Sequence, residues 1–317
     1  MPKNENTTAG KKRIAVIDLG TNTFHLLIAE GTPEDFHVLC RRTEPVKIGE
    51  GGINKGIIQP AAFERGLECM TEYQRLIAEH RATDVSAIAT SALRSAANSN
   101  EFIEAVEDRT GIRIEIINGD KEAAFIYKGI DAAGCLTDEH ALIMDIGGGS
   151  VEFIIGNADE IHWKQSFEIG AARLMAMFHK TDPIPLTAIK ELTAYLNTQL
   201  IELFKAAIKY RPTLLIGSSG AFESFAEVIA LENGKKFDLL QTKVYEFDTD
   251  DLLDLIERLV KSNHHKRATI KGIIPVRVDM IVVASLITIY IMQKLGLTEV
   301  TLCTYSLKEG VLAELLV

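Results

Sequence analysis

Two stretches of the chain carry the same order of apolar and polar positions. Ile14 to Glu30 reads IAVIDLGTNTFHLLIAE and Ala141 to Asn157 reads ALIMDIGGGSVEFIIGN. Laid on each other with Asp18 on Asp145, an offset of 127 residues, they place Gly20 on Gly147, Thr23 on Ser150, and apolar strand positions on apolar strand positions. Each copy predicts strand, tight turn, strand. The apolar runs are β-branched and of strand length, and the Asp-X-Gly centre is turn chemistry, in which glycine accepts backbone angles that other residues resist.

The pattern behind each hairpin also matches in kind. The first is followed by a strand near Phe36 to Arg41, a helix from about Pro60 to His80, a strand at Val85 to Ala89, a helix near Asn100 to Thr110, a strand at Ile112 to Ile117 and a helix from Asp120. Phe63, Leu67, Met70, Gln74 and Ile77 share one side of the first of these helices. The second hairpin is followed by a strand at Ile161 to Glu168, helices at Ala171 to Phe178 and Leu186 to Lys209, a strand at Leu214 to Ile216, and helices from Ser219, Asp250 and Val276. A last strand at Val300 to Tyr305 precedes a closing helix from Ser306. An antiparallel start followed by alternating strands and helices implies two α/β halves, each a mixed sheet faced by helices, with their glycine turns opposed across a cleft. The pattern breaks between Tyr127 and His140, at Gly134, Thr137 and Asp138, which divides the chain into 1–126 plus 306–317 and 127–305.

Composition narrows the class without naming a function. The 317 residues are 47% hydrophobic and 25% charged, which excludes a disordered or fibrous chain. The net charge of −10 speaks against a broad basic face for duplex nucleic acid or an anionic membrane. Anionic substrates remain open, because charges beyond about 10 Å are largely screened. The start from Met1 to Arg13 is polar, without the apolar core of a signal peptide, and the longest uncharged apolar run, Met280 to Met292, is too short to span a bilayer and reads as a buried helix. Cys40, Cys69, Cys135 and Cys303 are scattered, which suits packed, reduced thiols in the cytoplasm rather than a zinc or dithiol site.

Candidate chemistry gathers at the turns. In Asp145-Ile146-Gly147-Gly148-Gly149-Ser150, three glycines let the backbone come close to an oxyanion, Ser150 adds a hydroxyl, and Asp145 can hold hydrated Mg²⁺; a plain hairpin would need only one or two glycines. The first turn, Asp18-Leu19-Gly20-Thr21-Asn22-Thr23, has one glycine and three polar side chains able to donate hydrogen bonds. Phosphoryl transfer to water needs a group that positions or deprotonates the water. Glu122 opens a helix at the cleft edge and can serve, although alone it reads as a first-turn acid suited to the helix dipole. Glu152 follows Ser150 by two and shares its face of the strand, or else is an exposed hairpin residue. Arg94, after a strand end, can reach a phosphate bidentately or be solvated. Gly217-Ser218-Ser219-Gly220 offers N–H groups to an anion or caps a helix. The tract from His264 to Arg267, with Lys271 and Arg277, is the densest basic segment; Arg267 would line the groove, unless the tract is a solvated loop.

The segments IDLGTNTFHLLIAE, VKIGEG, ATSALRSAANS, INGDKEAAFIYKGI, MDIGGGSVEFIIG, IGSSGAFESFAEV and TYSLKEGVLAELL, in this order and covering nearly the whole chain, resemble the exopolyphosphatase and guanosine pentaphosphate phosphohydrolase family of the actin-like ATPase superfamily. The resemblance implies an α/β fold of two ribonuclease-H-like domains, each with a mixed five-stranded sheet, and an active site in the interdomain cleft. It implies Mg²⁺- or Mn²⁺-dependent release of terminal phosphate from inorganic polyphosphate or guanosine pentaphosphate, with a homodimer as one possible state. By motif, Glu122 matches the water-activating glutamate, Asp145 the metal- or water-positioning aspartate, and Glu152 the second acid. Gly147 to Ser150 match the phosphate loop, Arg94 a phosphate-contacting arginine, and Asp18, Asn22 and Thr23 the first loop. Asp18, Asp145 and Glu152 form the expected metal set. Ala124 and Lys308 stand where the family often has arginine, which bears on substrate preference. The chain resembles the short two-domain form. Two other readings stay open: a kinase of the same superfamily, separated by its need for an acceptor, and a non-hydrolytic alarmone sensor, for which Glu122 would have no use.

Overall fold

The computed structural model describes residues 12–32 and 36–317. The polar start from Met1 to Lys11, on which the expectation of no leader rests, lies outside them. The first half runs β1 (Arg13–Leu19), β2 (Phe24–Gly31), β3 (Phe36–Glu44), α1 (Pro60–Glu79), β4 (Asp84–Ala89), α2 (Ser91–Ser95), α3 (Ser99–Thr110), β5 (Ile114–Ile116) and α4 (Gly119–Ala132). Its sheet has the order β3-β2-β1-β4-β5. β1 and β2 form the antiparallel hairpin, and β4 lies parallel to β1.

The second half runs β6 (Ala141–Ile146), β7 (Val151–Gly156), β8 (Ile161–Phe167), α5 (Ala171–Phe178), α6 (Leu186–Gln199), α7 (Ile201–Tyr210), β9 (Leu214–Ser218), α8 (Gly220–Glu232), β10 (Val244–Glu246), α9 (Thr249–Lys261), α10 (His264–Ala268), α11 (Met280–Leu295), β11 (Glu299–Cys303) and α12 (Leu307–Leu315). Its sheet, β10-β11-β9-β6-β7-β8, repeats the first order in β8-β7-β6-β9-β11. It has six strands where five were expected. The extra strand, β10, is three residues long, carries no buried residue and pairs antiparallel with β11 at the sheet edge, so no hydrophobic pattern announces it. The single helix expected from Leu186 to Lys209 is two, α6 and α7, broken at Leu200 (φ −100°, ψ 20°). α11 is buried over Ile281 to Thr288, as its uncharged run requires. No helix among the described residues is long and apolar enough to cross a membrane.

Each sheet has its own apolar core on its outer face, and a third core lies between the two sheets. That middle layer consists of α12, which packs on β1, and α4, which packs on β7 and β8. The two helices meet backbone to backbone. A Cβ on Gly310 would stand 1.8 Å from the Phe125 carbonyl oxygen, and one on Gly129 2.1 Å from that of Ser306. This contact brings Glu122, at the start of α4, and Ser306, which caps α12, to the floor of one cleft. A division at residue 126 would fall inside α4, which runs unbroken through this layer.

Arg267 is not a groove residue. It is fully buried, and its guanidinium donates to the carbonyls of Val278 and Ser262 and pairs with Asp182 at 3.0 Å and Asp279 at 3.4 Å. Four of its five N–H donors are spent inside the protein and no part of the side chain is exposed, so none is offered to phosphate. Arg267→Ala should therefore lower stability by about 3 kcal/mol, the cost of breaking a buried charged network. Denaturant unfolding would check this; an unfolding midpoint equal to wild type would show the network to be dispensable.

Candidate active site

The internal repeat survives in the geometry of the turns. Gly20 and Gly147 each lie so close to the chain three residues on that a Cβ would be 2.9 Å from the carbonyl oxygen of Thr23 and of Ser150, respectively. None of Gly20, Gly147, Gly148 and Gly149 is left-handed, contrary to the turn chemistry expected for them. Gly148 and Gly149 are glycines because the two halves interlock. A Cβ on Gly148 would stand 2.2 Å from Asn22 Nδ2, and one on Gly149 2.5 Å from Ser91 Oγ and 2.7 Å from Thr21 Oγ1. The carbonyls of the triple-glycine turn accept from the first N–H groups of α5: Ala171 to Gly147 at 2.9 Å, Ala172 to Gly148 at 2.9 Å, and Gly170 to Gly149 at 3.1 Å. One edge of the turn is thus anchored while the turn lines the cleft.

Five carboxylates line the same cleft: Asp18, Glu122, Asp145, Glu152 and Glu223, the last paired with Arg277. Asp145 is held from three sides, by the hydroxyls of Ser219 at 2.6 Å, Ser218 at 3.0 Å, and Ser306. Ser306 also forms a capping box with Glu309, so the first turn of α12 orients Asp145. Asp18 is held by nothing comparable: its Oδ1 is out of solvent and has no hydrogen-bond partner. Burial pushes Asp18 up to about 7, with Lys308 pulling the other way and Asp145 adding to the rise. Glu122 is also raised to about 7 by burial, against the pull of Arg94, whose Nη1 donates to Glu122 Oε2 at 2.8 Å. Glu152, which accepts from Ser166 Oγ at 2.6 Å, is raised well above the usual range by burial and by the charges of Glu122 and Asp145.

Arg94 sits beside the cleft rather than in its lining. Its Nη1 also donates to the Ile117 carbonyl at 3.1 Å, and its Nη2 pairs with Glu168 at 3.2 Å. Ser218 is fully buried with its hydroxyl given to Asp145, so it supports that carboxylate and is not a phosphate donor. Ser219 and Gly220 do line the cleft, and Ser219 is held at φ 70°, ψ −177°, a conformation strained for any side chain. Asn22 and Thr23 line it from the other half, where Asn22 Nδ2 donates to Met280 Sδ at 3.0 Å.

Sequence reasoning passed over several residues placed here. Arg277 lines the cleft beside Gly220 and pairs with Glu223 at 2.6 Å; it was noticed only as part of a basic tract. Lys308 lines the cleft and pairs with Glu309 at 3.2 Å. Glu168 accepts from Ser91 at 2.7 Å and pairs with both Arg94 and Arg173, bridging the halves at the mouth. Only long-range pairing distinguishes Glu168 from any other polar residue at a strand end.

Among the described residues no three metal-ligating side chains converge. Mg²⁺ does not require that, since it keeps several waters and takes one or two carboxylates together with substrate phosphate oxygens. The unpartnered Asp18 Oδ1 and the excess of buried negative charge fit such an ion.

A paired-hairpin, two-sheet α/β protein with acids in the cleft is the architecture of a phosphate-handling enzyme. The chain belongs to the Ppx/GppA phosphatase family, whose model matches residues 27–317. The crystal structure of an exopolyphosphatase from Cytophaga hutchinsonii superposes with a TM-score of 0.94 and 41% identity, over 96% of this chain and 98% of that one. A bifunctional 3-dehydroquinate synthase/phosphatase from Fusobacterium nucleatum is 29% identical over 89% of this chain and 43% of its own length. A guanosine-5'-triphosphate,3'-diphosphate pyrophosphatase from Vibrio cholerae is 25% identical over 95% of this chain and 59% of its own. The chain therefore spans about half the length of these two curated relatives.

The raised Asp18 makes a thermodynamic prediction. Folded Asp18 holds its proton up to about pH 7, whereas the unfolded side chain releases it near 3.8. The folded form binds more protons across that window, so this group destabilises the fold above pH 7 and the penalty fades as pH falls toward 4. Without divalent cations, Asp18→Asn should stabilise the protein by on the order of 2 kcal/mol at pH 8, with little difference near pH 4. Thermal unfolding at both pH values tests this; destabilisation at pH 8 would mean that the charge is compensated in the fold.

Proposed function

We propose that the protein is an exopolyphosphatase, a phosphoanhydride hydrolase that releases the terminal phosphate of inorganic polyphosphate. The observation that supports this best is the placement of Glu122, buried at the start of α4 and facing the triple-glycine turn across the cleft, with Arg94 holding its Oε2. Its other oxygen is then free to take the proton of an attacking water while the terminal phosphoryl group lies against Gly147, Gly148, Gly149 and Ser150. With a pKa of about 7, Glu122 can accept that proton near neutral pH. Asn22 and Thr23 close on the phosphate from the first half, and Ser219 and Gly220 from α8. Asp145, fixed by three serines, holds its geometry through the reaction, with Asp18 and Glu152 completing the acidic set.

Mg²⁺ or Mn²⁺, held by Asp18 and Asp145, would neutralise phosphate oxygens as charge develops on them. Glu152 accepts from Ser166 and has a strongly favoured proton, so its part is to shape the site and not to compete for the ion. Guanosine pentaphosphate is the second substrate reading. It is favoured by the apolar cleft wall of Val276, Met280, Ile281 and Ala284, which a polyphosphate chain would not need. Four buried free thiols suit a reducing cytoplasm.

The deciding assay is phosphate release from polyphosphates of defined length beside guanosine pentaphosphate, with and without a phosphoryl acceptor. Release to water without acceptor is expected; transfer only to an acceptor would make the protein a kinase, and binding without release a sensor. Glu122→Gln should lower turnover about 10²- to 10⁴-fold with little change in substrate affinity. In the wild type, kcat/KM should fall as pH drops below about 7, because Glu122 then gains a proton. Retention of half the turnover in the Gln variant would remove Glu122 from this role. Mg²⁺ should also raise the Tm of substrate-free wild type by several degrees and that of Asp18→Asn by less, because the ion relieves the buried charge; equal shifts would place the ion elsewhere.

A further inference from the structure

The two hairpins match in their hydrogen-bonding side chains as well as in their turns. In the second half, Glu152 on β7 lies opposite Asp145 on β6 and opposite Ser166 on β8. It accepts from Ser166 Oγ at 2.6 Å and hydrogen-bonds to Ser150, two residues back on the same face. In the first half, the residue 127 positions earlier is His25. It lies opposite Asp18 on β1 and opposite Thr43 on β3. Its Nε2 is 2.9 Å from Thr23 Oγ1 and its Nδ1 is 2.9 Å from Thr43 Oγ1. Each half thus builds a relay of hydroxyl, central group and hydroxyl, with Thr23 or Ser150 at the cleft end.

The central group decides which way the hydroxyl at the cleft end points. In Glu152 the proton is strongly favoured, so its carboxyl has one hydrogen to give and must accept from the other hydroxyl. A neutral imidazole has one donor and one acceptor nitrogen. His25 is kept neutral by its partial burial and by the surrounding cations Lys308 on α12, Arg277 and Arg41 on β3. Of its two tautomers, only one leaves the cleft-facing hydroxyl hydrogen free.

We propose that His25 is a positioning residue: its Nε2–H donates to Thr23 Oγ1 while its Nδ1 accepts from Thr43, which turns the Thr23 hydroxyl hydrogen toward a phosphate oxygen of the substrate. The first loop then contributes a hydroxyl donor facing the glycine turn across the cleft. The inference rests on the phosphatase reading above only for Thr23's partner; the tautomer is a property of the protein alone.

Two measurements test it on the intact protein. In ¹⁵N-histidine-labelled wild type, with His25 assigned by its absence in His25→Gln, the ring should be neutral and protonated at Nε2 at pH 7 without substrate. A charged ring or an Nδ1–H tautomer would overturn the inference whatever the enzyme's activity. The second is a double-mutant cycle on phosphate release. His25→Asn, too short to reach Thr23, should lower kcat/KM about tenfold, and His25→Gln, whose amide can occupy the Nε2 position, by no more than about threefold. In a Thr23→Val background His25→Asn should cost less than about twofold, because its route of action is already lost. Additive losses would overturn the inference and make His25 a packing residue. A silent Thr23→Val would overturn it by removing the phosphate contact, while wild-type phosphate release would still stand for the phosphatase reading.

Discussion

Five carboxylates line one cleft with too few cations to match them. Glu122, Asp145 and Glu152 are buried, and Asp18 has an oxygen cut off from water with nothing bonded to it. Water would solvate such groups at little cost, whereas the interior makes each unpaired charge expensive. The surrounding architecture answers this constraint. Arg94 is drawn to Glu122, three serines from three different elements converge on Asp145, and Lys308 is placed where its charge lowers the cost of Asp18. What remains uncompensated appears as carboxyls raised toward neutrality, and a site left short of positive charge is suited to a cation arriving with an anionic substrate.

The same constraint explains why the second turn carries three glycines. Where the two halves meet at this turn, the side chains of Asn22, Thr21 and Ser91 press on the backbone of Gly148 and Gly149 and already occupy the space of a Cβ. Glycine serves here as the absence of a side chain and not as a source of unusual torsion angles. The strained residue of the site is Ser219, a serine in a region of φ,ψ that glycine favours. Its hydroxyl bond to Asp145 gives a reason for keeping a side chain there, since glycine would relax the backbone and lose one of the three donors.

Much of this was legible in the chain because the fold is written twice. A single Asp-X-Gly turn between apolar runs says only hairpin; two in the same frame predicted two equivalent sheets and a cleft between their turns, and the strand orders agree. Glu122, Asp145 and the glycine loop could be singled out because each combines a turn or helix start with chemistry a plain turn does not need. Residues whose role depends on pairing across the chain were beyond reach. Arg267 sits in a basic run that looks solvent-facing, yet its partners lie at Asp182, Val278 and Asp279 and bury it. Glu168 is one acid among 44 acidic residues until the fold sets it against Ser91, Arg94 and Arg173. β10 lacks the apolar alternation from which strands are read.

The two halves are joined by unequal means at the two ends of the cleft. At the floor, α4 and α12 form an apolar layer between the sheets, with glycines at the points where the helices touch, so separating them would expose Phe125, Ile126, Val311 and Leu312. At the mouth the tie is polar: Glu168 bridges Arg94 and Arg173, and Arg173 reaches back to the Ile53 carbonyl at 3.1 Å. Glu168 is half exposed, and ion pairs of that kind contribute about 0–1 kcal/mol, far less than burial of an apolar layer. Contacts at the mouth are therefore the easy ones to exchange and those at the floor the costly ones. The starts of α4 and α12 carry Glu122 and the serine that holds Asp145, so these two carboxylates are placed by the costly contacts. Arg94, by contrast, holds Glu122 with one nitrogen and joins the weaker polar tie to Glu168 with the other, so it links the firm end of the cleft to its exchangeable end.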